Sequence, residues 1–400
     1  MNNETRKETQ VLPKDVRYVG ADDLTLPLFE NQYPVQPMGV SYNSYLILDE
    51  KVAVMDSVDA RAADEWLAKL AHELDGRSPD YLVISHMEPD HSGSILRLAE
   101  KYQEMKLVGN TKTFTMLRQF FGASAPANER LVEVGEGGTI SLGTHTLHFM
   151  LGPMVHWPEV MVAYEETEKL LFSADAFGRF GALSRTAAAP WAPQARRYYY
   201  NIVGKYGAQV QALLKKASAL EIKTVCPLHG PVLTGEALGE ALRLYDLWSR
   251  WQSEAPEEIL LAHASIHGNT ARAAELFKQK LEAAGARVTL CDLTTTEVSY
   301  AVANAFYCGK LVLACSTYDG GLFPPMEEFL THLQAKGFRD RSVALMENGS
   351  WAPAAARLMR ARLEEMKDLR VCGTVVSLRS ALSPASEAQM EALSAELCAE

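Results

Sequence analysis

A run of metal-binding side chains directly after an apolar strand constrains this chain more than any other feature. The run contains His86, Glu88, Asp90 and His91, and it follows the apolar residues 81–84. Imidazole and carboxylate groups without a nearby thiolate suit a hard or borderline divalent metal ion. Because so many donors in one tight turn reach a single ion only with strain, we predict two metal ions at this strand end.

Three single residues at later strand ends support a metal site, because such sites are built from loops on a rigid scaffold. They are His156, Asp175 and His229. The alternative is a solvated polar loop in which Asp90 or Ser92 caps the next helix. Each single residue is a weak signal, but the whole set in this order is a strong one.

Asp56 closes the predicted strand at residues 52–55 and allows two interpretations. It is either a hydrogen-bond partner of a ligand imidazole or an aspartate that forms a turn. The sequence favours neither.

The order H-x-E-x-D-H, followed by His, Asp and His, resembles the metallo-β-lactamase fold and in particular its flavodiiron branch. Hydrolytic members of that fold carry H-x-H-x-D-H, whereas Glu88 stands at the second histidine position here. A carboxylate adds negative charge and a hard oxygen, which favours iron over zinc and stabilises higher oxidation states. This difference is the main argument from sequence for redox chemistry over hydrolysis.

The resemblance implies a set of ligands for two irons per chain. His86, Glu88 and His156 would bind one iron, and Asp175 would bridge the pair. The ligands of the second iron would be Asp90, His91 and His229.

The family also sends a tyrosine toward the diiron pocket from a helix that begins here near Arg196. Either Tyr198 or Tyr199 takes that position, and the sequence does not choose between them. The preceding segment, residues 184–195, is shorter and less acidic than is usual in the family. Because this difference affects access to the pocket, the preference for O2 or NO stays open.

The bulk composition excludes several classes of function. The chain has 400 residues, of which 48% are hydrophobic and 22% charged, so we expect a globular protein of two or three domains. A net charge of −11 disfavours nonspecific binding to nucleic acid or anionic lipid. The start of the chain lacks an apolar segment, and no apolar run is long enough to span a bilayer. We therefore expect a cytoplasmic protein that binds neither nucleic acid nor membrane.

The six cysteines form no C-x-x-C pair, and most of them lie in apolar strands. Buried free thiols are the simplest interpretation. An appended rubredoxin or iron–sulfur module needs paired thiolates and is excluded. Electrons must therefore arrive from a separate donor.

The two halves of the chain differ in their predicted secondary structure. Residues 42–152 show short strands with turns, interrupted by helices, which fits the N-terminal αββα sandwich of the metallo-β-lactamase resemblance. A polar linker at residues 252–258 follows. We predict a diiron domain at residues 1–252 and a second domain at residues 253–400, the first of α+β and the second of α/β class.

After the linker, strands and helices alternate regularly, which predicts a doubly wound, five-stranded parallel sheet. The predicted strands are residues 259–262, 287–290, 311–314, 342–345 and 371–376. The first turn from strand to helix carries short hydroxyl and glycine residues. Such a turn presents backbone N–H groups and the positive helix end to a phosphate.

This second half resembles flavodoxin, and three loops carry the resemblance. They are Ser265, Ile266, His267, Gly268, Asn269 and Thr270 for the phosphate, then Ser316, Thr317, Tyr318, Asp319, Gly320 and Gly321, and finally Asn348, Gly349, Ser350 and Trp351. The absence of a G-x-G-x-x-G turn favours FMN over NAD or FAD. Tyr318 and Trp351 either flank the isoalloxazine or are surface aromatics that cover helix ends.

Together the two resemblances identify the chain as similar to the flavodiiron proteins. The family implies reduction of O2 to water or of NO to N2O, with electrons relayed through FMN from an external donor. A rubredoxin is the common donor, although some members use other carriers such as a reduced deazaflavin. The family also implies a head-to-tail homodimer, possibly a dimer of dimers, with the FMN of one subunit beside the diiron site of the other.

Two alternatives belong to other functional classes. One is a zinc hydrolase of the metallo-β-lactamase type with a regulatory flavin domain; Glu88 and the flavin loops count against it. The other is an FMN-binding electron carrier or gas sensor whose metal site no longer turns over. The complete ligand set argues against it.

Overall fold

The computed structural model describes residues 12–399, and these form two compact units. The first unit consists of the chain up to Tyr199 together with Tyr206–Asp246. The second consists of Tyr200–Lys205 and the chain from Leu247 onward. The polar start of the chain, on which the expected cytoplasmic location partly depends, lies outside the described residues.

The first unit contains one mixed sheet of six strands with two small ribbons beside it. Strands β1 to β10 are Val16–Tyr18, Ala21–Asp23, Leu28–Phe29, Tyr33–Pro34, Val40–Tyr42, Tyr45–Ile47, Ala53–Met55, Tyr81–Val83, Lys106–Gly109 and Leu131–Glu133. The sheet order is β1-β6-β7-β8-β9-β10, and β2 pairs with β5 and β3 with β4. From β7 to β10 the strands run parallel, so their carboxyl ends meet at one edge. The intervening helices α1 to α4 are Ala63–Leu74, Pro89–Ser92, Ile95–Lys101 and Thr111–Phe121.

A second six-stranded sheet completes this unit. Strands β11 to β16 are Thr139–Ser141, Thr146–Leu151, Met161–Glu165, Leu170–Phe172, Thr224–Cys226 and Leu233–Thr234, and they neighbour one another in chain order. Helices α5 to α8 are Leu183–Thr186, Trp191–Tyr198, Gly207–Ala217 and Gly235–Ser249. A π-helix at Tyr199–Val203 follows α6 directly.

The two sheets share one apolar core. Ile47, Met55 and Val83 from the first sheet belong to the same buried cluster as Phe149 and Met161 from the second. Because alternate strand residues point to opposite faces, each sheet supplies one apolar face to this layer. The predicted metallo-β-lactamase-like sandwich is confirmed.

The second unit is built on a parallel sheet. Its strands β17 to β22 are Ala255–Ala264, Arg287–Asp292, Cys308–Tyr318, Gly321–Leu322, Arg341–Asn348 and Leu369–Leu378. The parallel strands follow the order β18-β17-β19-β21-β22, and the short β20 pairs antiparallel with β19. This is the order of a flavodoxin-like sheet, as predicted.

The helices of this unit cross over between the strands. Helices α9 to α13 are Asn269–Ala283, Val298–Tyr307, Pro324–Ala335, Ala355–Glu364 and Pro384–Cys398. Phe277 of α9 and Leu393 of α13 lie in one buried cluster with Leu261 and Val312 of the sheet. The buried positions of α9, including Ala273, Phe277 and Leu281, recur at helical spacing, which explains why this segment predicts a helix.

The predicted linker at residues 252–258 is wrong in its second half, because β17 already begins at Ala255. Ala255 pairs with Cys308, and the regular pairing resumes only at Ile259 after an irregularity in the ladder. A side chain on Gly309 would lie 2.1 Å from the carbonyl oxygen of Pro256. The charged residues of the linker therefore form an irregular strand start, which a polar pattern does not reveal.

Two further findings concern the described residues as a whole. Within residues 12–399, no helix is both long enough and apolar enough to cross a membrane. All six cysteines are free thiols, and five of them are buried. The buried thiols agree with the prediction from their apolar surroundings.

Candidate metal centre

The chain leaves β8 in a conformation that directs the ligand-rich run into the protein. The Oδ1 atom of buried Asp56 accepts a hydrogen bond of 2.7 Å from the backbone N–H of Ser85. Asp56 itself has a φ angle of 57° and contacts no ligand imidazole by hydrogen bond, so it is a turn-forming residue. Burial raises the pKa of Asp56 to about 6. Pro89 then starts the single turn of α2, which carries Asp90 and His91.

The first group of predicted ligands converges from three loops. Potential ligand atoms of His86, Glu88, His156 and Asp175 all lie within 4.8 Å of one another. The Nε2 atom of His156 lies 3.1 Å from Oε2 of Glu88 and 2.9 Å from Oδ2 of Asp175. The corresponding distances from Nε2 of His86 are 3.3 Å and 3.5 Å. Two imidazoles and two carboxylates thus face one small volume.

The second group lies on the other side of Asp175. The Oδ2 atom of Asp90 lies 3.3 Å from Nε2 of His91 and 3.2 Å from Nε2 of His229. The Oδ1 atom of Asp175 lies 3.2 Å and 3.7 Å from the same two nitrogens. Asp175 therefore presents one oxygen to each group, which is the arrangement that a bridging carboxylate needs.

The imidazoles and carboxylates of the cluster stabilise one another's charges. Burial opposes the charge of Asp175, but the imidazoles of His91 and His156 hold the pKa of this carboxyl well below its usual range. Burial likewise opposes a charge on His156, yet hydrogen bonds to Asp175 and Glu88 raise its pKa to about 9. The imidazoles thus keep the buried Asp175 carboxylate ionised, as cation binding requires.

Several buried polar atoms of the cluster lack a hydrogen-bond partner among the described residues. They include both carboxylate oxygens of Asp90, Oδ1 of Asp175 and Nδ1 of His91. Buried polar groups are normally paired, and an unpaired carboxylate oxygen is costly. The donor set therefore fits cations, with only nitrogen and oxygen ligands.

The alternative of a helix cap is not supported by the geometry. The hydroxyl of Ser92 donates to the carbonyl of Met87, and Asp90 faces His91 and His229. Ser94 precedes α3, and no side chain caps that helix by hydrogen bond. The polar run is therefore not a capping loop.

The structure distinguishes the two candidate tyrosines. The ring of Tyr198 lies 5.6 Å from the ring of His229, and its buried hydroxyl has no hydrogen-bond partner among residues 12–399. Burial and the nearby carboxylates of Asp175 and Asp90 raise the pKa of Tyr198 well above its ordinary value. The ring of Tyr199 instead packs at 5.1 Å against Tyr245. Tyr198 is thus the tyrosine that faces the cluster.

The segment in front of these tyrosines, predicted to be short, is held by two polar anchors. Both carboxylate oxygens of Asp22 accept hydrogen bonds of 2.9 Å, from the N–H groups of Leu183 and Ser184 at the start of α5. Buried Arg179 donates to the carbonyls of Thr186 and Ala189. Polar contacts therefore hold the first half of the segment in place.

Sequence reasoning missed Glu159. This residue is 1% exposed, and its Oε1 atom lies 2.7 Å from Nδ1 of His86. Glu159 lies three residues after His156 in the same loop, and this short spacing is the signal that could have identified it.

The three predicted flavin loops meet at the carboxyl edge of the second unit's sheet. The hydroxyls of Thr270 and Ser316 are 2.8 Å apart, and the side-chain amide of Asn348 donates to Thr270 Oγ1 at 3.2 Å. In the first loop, the N–H of Gly268 donates to Ser265 Oγ at 3.1 Å, and Gly268 has a φ angle of 88°. Residues from all three loops are therefore connected to one another.

The remaining loop residues form the exposed or half-buried rim of this edge. Asp319 and Gly320 have positive φ angles in the turn between β19 and β20. Tyr318 is 45% exposed and Trp351 is 88% exposed. The other predicted contacts on the rim are Ile266, His267, Asn269, Thr317, Gly321, Gly349 and Ser350.

Sequence reasoning also missed a fourth loop, after β22. The N–H of Ser380 donates to Oδ1 of Asn348, and its hydroxyl lies 2.8 Å from that of Ser350. Ser380 has a φ angle of 69°, which a serine rarely adopts. No flavodoxin-like pattern in the sequence marks this position.

The fold and the cluster define a β-lactamase-like metal-binding domain joined to a flavodoxin-like domain. Comparison with known proteins agrees: residues 40–230 match the ODP family beta lactamase model. A nitric oxide reductase from Moorella thermoacetica is 27% identical over 361 residues, covering 88% of either chain. A rubredoxin-oxygen oxidoreductase from Megalodesulfovibrio gigas is 28% identical over 334 residues, covering 81% of each.

A solved structure extends the similarity to nearly the whole chain. The flavodiiron protein from Giardia intestinalis superposes with a TM-score of 0.88 at 24% identity, covering 97% of this chain and 95% of that one. Residues 40–230 thus match an ODP-type β-lactamase-like domain, and the chain as a whole is similar to flavodiiron proteins in sequence and in fold.

Proposed function

We propose that this protein is a flavodiiron oxidoreductase that reduces O2 to water, NO to N2O, or both. Reduction of O2 to two waters consumes four electrons and four protons, and coupling of two NO to N2O and water consumes two of each. An external reduced carrier supplies the electrons through FMN. The observation that carries the proposal is Asp175, whose two oxygens face two separate ligand groups.

In this proposal the two groups bind one iron each. His86, Glu88 and His156 would hold the first, Asp90, His91 and His229 would hold the second, and Asp175 would contribute one oxygen to each. When bound, the irons supply redox electrons and adjacent sites for the diatomic gas. The ionised carboxylates favour the oxidised metal pair, because they neutralise its charge.

The chain's own residues shape the space beside the second group. The ring of Phe29 lies 5.3 Å and that of Tyr42 lies 6.1 Å from the ring of His229. These aromatic rings exclude bulk water, and Tyr198 adds the polar group on this side. Burial and the neighbouring carboxylates keep its hydroxyl protonated, so this group is available to donate a hydrogen bond into the space beside His229.

In the domain that we propose for residues 253–400, the loops after β17, β19 and β21 bind FMN. Backbone N–H groups of residues 265–270 and the N-terminus of α9 receive the phosphate. Thr270, Ser316 and Asn348 hold the three loops in register through their mutual hydrogen bonds. FMN when bound accepts electrons singly or in pairs and passes them on.

We also propose a cytoplasmic homodimer, arranged head to tail, that receives electrons from a carrier such as rubredoxin. The support is the apolar rim of the second unit, where Ile266, Tyr318 and Trp351 are 38%, 45% and 88% exposed. Exposed apolar side chains grouped on one edge are typical of a contact surface. The name of the Megalodesulfovibrio relative supports rubredoxin as one candidate donor.

The deciding experiment combines cofactor analysis with gas consumption. Protein purified without oxygen should contain two irons and one FMN per chain, and it should consume O2 or NO once the flavin is chemically reduced. The ratio of the two rates gives the substrate preference. Zinc without gas consumption would instead indicate a hydrolase, and bound FMN without turnover would indicate an electron carrier or sensor.

A further inference from the structure

The loop before β13 places a buried carboxylate directly behind one ligand imidazole. Oε1 of Glu159 lies 2.7 Å from Nδ1 of His86 and also accepts the backbone N–H of Met87 at 2.9 Å. The carbonyl of Glu159 accepts the side-chain amide of Asn110 at 2.6 Å. Both ends of this residue are thus fixed by hydrogen bonds.

This contact determines which nitrogen of His86 carries the proton. Because a carboxylate only accepts hydrogen bonds, Nδ1 of His86 donates to Glu159. The Nε2 lone pair is then free on the side of Glu88 and Asp175, which lie 3.3 Å and 3.5 Å away. A carboxylate partner also makes the imidazole a more basic ligand.

The second ligand group has no equivalent partner. Nδ1 of His229 lies 2.7 Å from the neutral carbonyl oxygen of Ser41. Nδ1 of His91 has no hydrogen-bond partner among the described residues. The two groups nevertheless offer the same kinds of ligand, since each has two imidazoles, one carboxylate of its own and one oxygen of Asp175.

We propose that Glu159 is a positioning residue that makes the two metal positions unequal. Through His86 it strengthens the position formed with Glu88 and His156 over the position formed by Asp90, His91 and His229. The inference rests on the proposed two-metal centre. It predicts that the metal-free protein fills the His86 position first.

The test is stepwise addition of Co²⁺ to metal-free full-length protein, followed by calorimetry and by the visible spectrum of the bound metal. Wild type should show two separate binding steps. In Glu159→Gln the acceptor oxygen stays but the charge is lost. The affinity of the stronger Co²⁺ site should fall by about 10-fold to 100-fold, while the affinity of the weaker site stays unchanged. The two affinities should therefore become more alike.

The chain offers a matched control in Glu165. This glutamate is fully buried, and its Oε1 lies 3.1 Å from Nδ1 of His145, which is not a ligand. Glu165→Gln should therefore leave both metal-binding steps unchanged. A purely structural role of Glu159 would instead lower thermal stability and weaken both steps equally.

The outcomes are distinguishable. The inference would be overturned if Glu159→Gln kept the wild-type ratio of the two Co²⁺ affinities. Two equal affinities in the wild type would overturn it as well. Wild type that binds fewer than two ions would contradict the proposed function itself. If Glu159→Gln does not fold, Glu159→Asp gives the same test, because its shorter side chain retracts from Nδ1 and should weaken only the stronger step.

Discussion

At the scale of single residues, Asp175 shows how burial and charge combine in the metal centre. The side chain is 1% exposed, and its negative charge is stabilised by the imidazoles around it. Without a cation the two ligand groups place several acidic and basic side chains in one dry volume. Such an arrangement costs stability unless it is paired with metal, so it indicates a function.

Removing one ligand should empty the metal centre without releasing the flavin. His86→Ala deletes an imidazole that faces both Glu88 and Asp175. We expect iron content to fall by at least one ion per chain and gas reduction to fall by at least about 100-fold, while FMN stays bound. Metal analysis and the flavin spectrum measure these effects. The control is His148→Ala, which changes a surface histidine paired with Glu166 and should keep both cofactors. Full activity of His86→Ala would remove this residue from the site.

His263 should make the second unit sensitive to acid. The residue is 4% exposed, Nδ1 has no hydrogen-bond partner among residues 12–399, and burial lowers its pKa. The folded state binds a proton at His263 less readily than the unfolded state does. The free energy of unfolding should therefore be highest near neutral pH and should decrease as pH falls below about 6.5. In His263→Asn the free energy of unfolding should depend less on pH in this range. Urea unfolding of both proteins between about pH 7.5 and pH 5.5 measures the difference, and parallel curves would contradict the prediction.

At the scale of secondary-structure elements, the position of the flavin loops follows from parallel pairing. The strands β17, β19 and β21 are neighbours, so the loops after them emerge side by side at one edge. Helix α9 begins at this edge after Gly268, where the backbone turns with a positive φ angle. The phosphate turn therefore depends on a glycine at that position.

Gly268→Val should release FMN while leaving iron in place. A Cβ at Gly268 would meet no atom within 4 Å, so the penalty comes from the φ angle of 88° alone. Strain of this kind costs about 1–3 kcal/mol. Because the turn would move to relieve this strain, the affinity for FMN should fall at least about 10-fold. Flavin affinity and metal content measure the effect.

Gly285 supplies the control at the other end of the same helix. Its φ angle is 92°, and a Cβ there would also meet no atom within 4 Å. Gly285→Val should cost comparable stability and leave FMN affinity unchanged. Loss of FMN in both variants, or loss of FMN and iron together, would indicate general unfolding and contradict the local role of Gly268.

The segment that begins with α5, which the family resemblance relates to access to the pocket, should influence the choice of gas. Asp22→Ala removes the acceptor of the N–H groups of Leu183 and Ser184, and the loss of such a cap costs about 1 kcal/mol. We expect faster hydrogen exchange in residues 183–190 and an altered ratio of O2 to NO reduction at unchanged iron content. An unchanged ratio together with faster exchange would show that this segment does not control selectivity.

At the scale of the whole molecule, the proposed homodimer has a kinetic consequence. If the FMN of one subunit serves the diiron centre of the other, turnover per chain depends on assembly, whereas cofactor binding does not. Dilution below the dimer dissociation constant should therefore lower specific activity at constant iron and FMN content. Light scattering gives the oligomeric state and gas consumption gives the activity at each dilution. Full activity of a demonstrated monomer would refute electron transfer between subunits.

Much of the architecture was predictable from sequence because it depends on local patterns. The alternation of strands and helices after residue 258 predicts the parallel sheet, whose order β18-β17-β19-β21-β22 the structure shows. The candidate ligands lie at strand ends: one run follows β8 of the first sheet, and Asp175 and His229 follow the parallel strands β14 and β15 of the second. The type and the strand-end position of each candidate ligand can thus be recognised from neighbouring residues in the sequence. That these residues bind metal is the proposal made above.

Other features depended on contacts between distant segments. Tyr198 and Tyr199 are adjacent on a helix and point in different directions, so only the packing of Tyr198 beside His229 and of Tyr199 against Tyr245 separates them. Glu159 meets His86 from 73 positions away, and the start of β17 depends on its pairing with Cys308. The sequence by itself determined the fold class and the candidate donors, because periodicity and residue chemistry are local properties. Only the tertiary structure decided which side chains stand behind those donors, because these contacts arise when separate loops pack together.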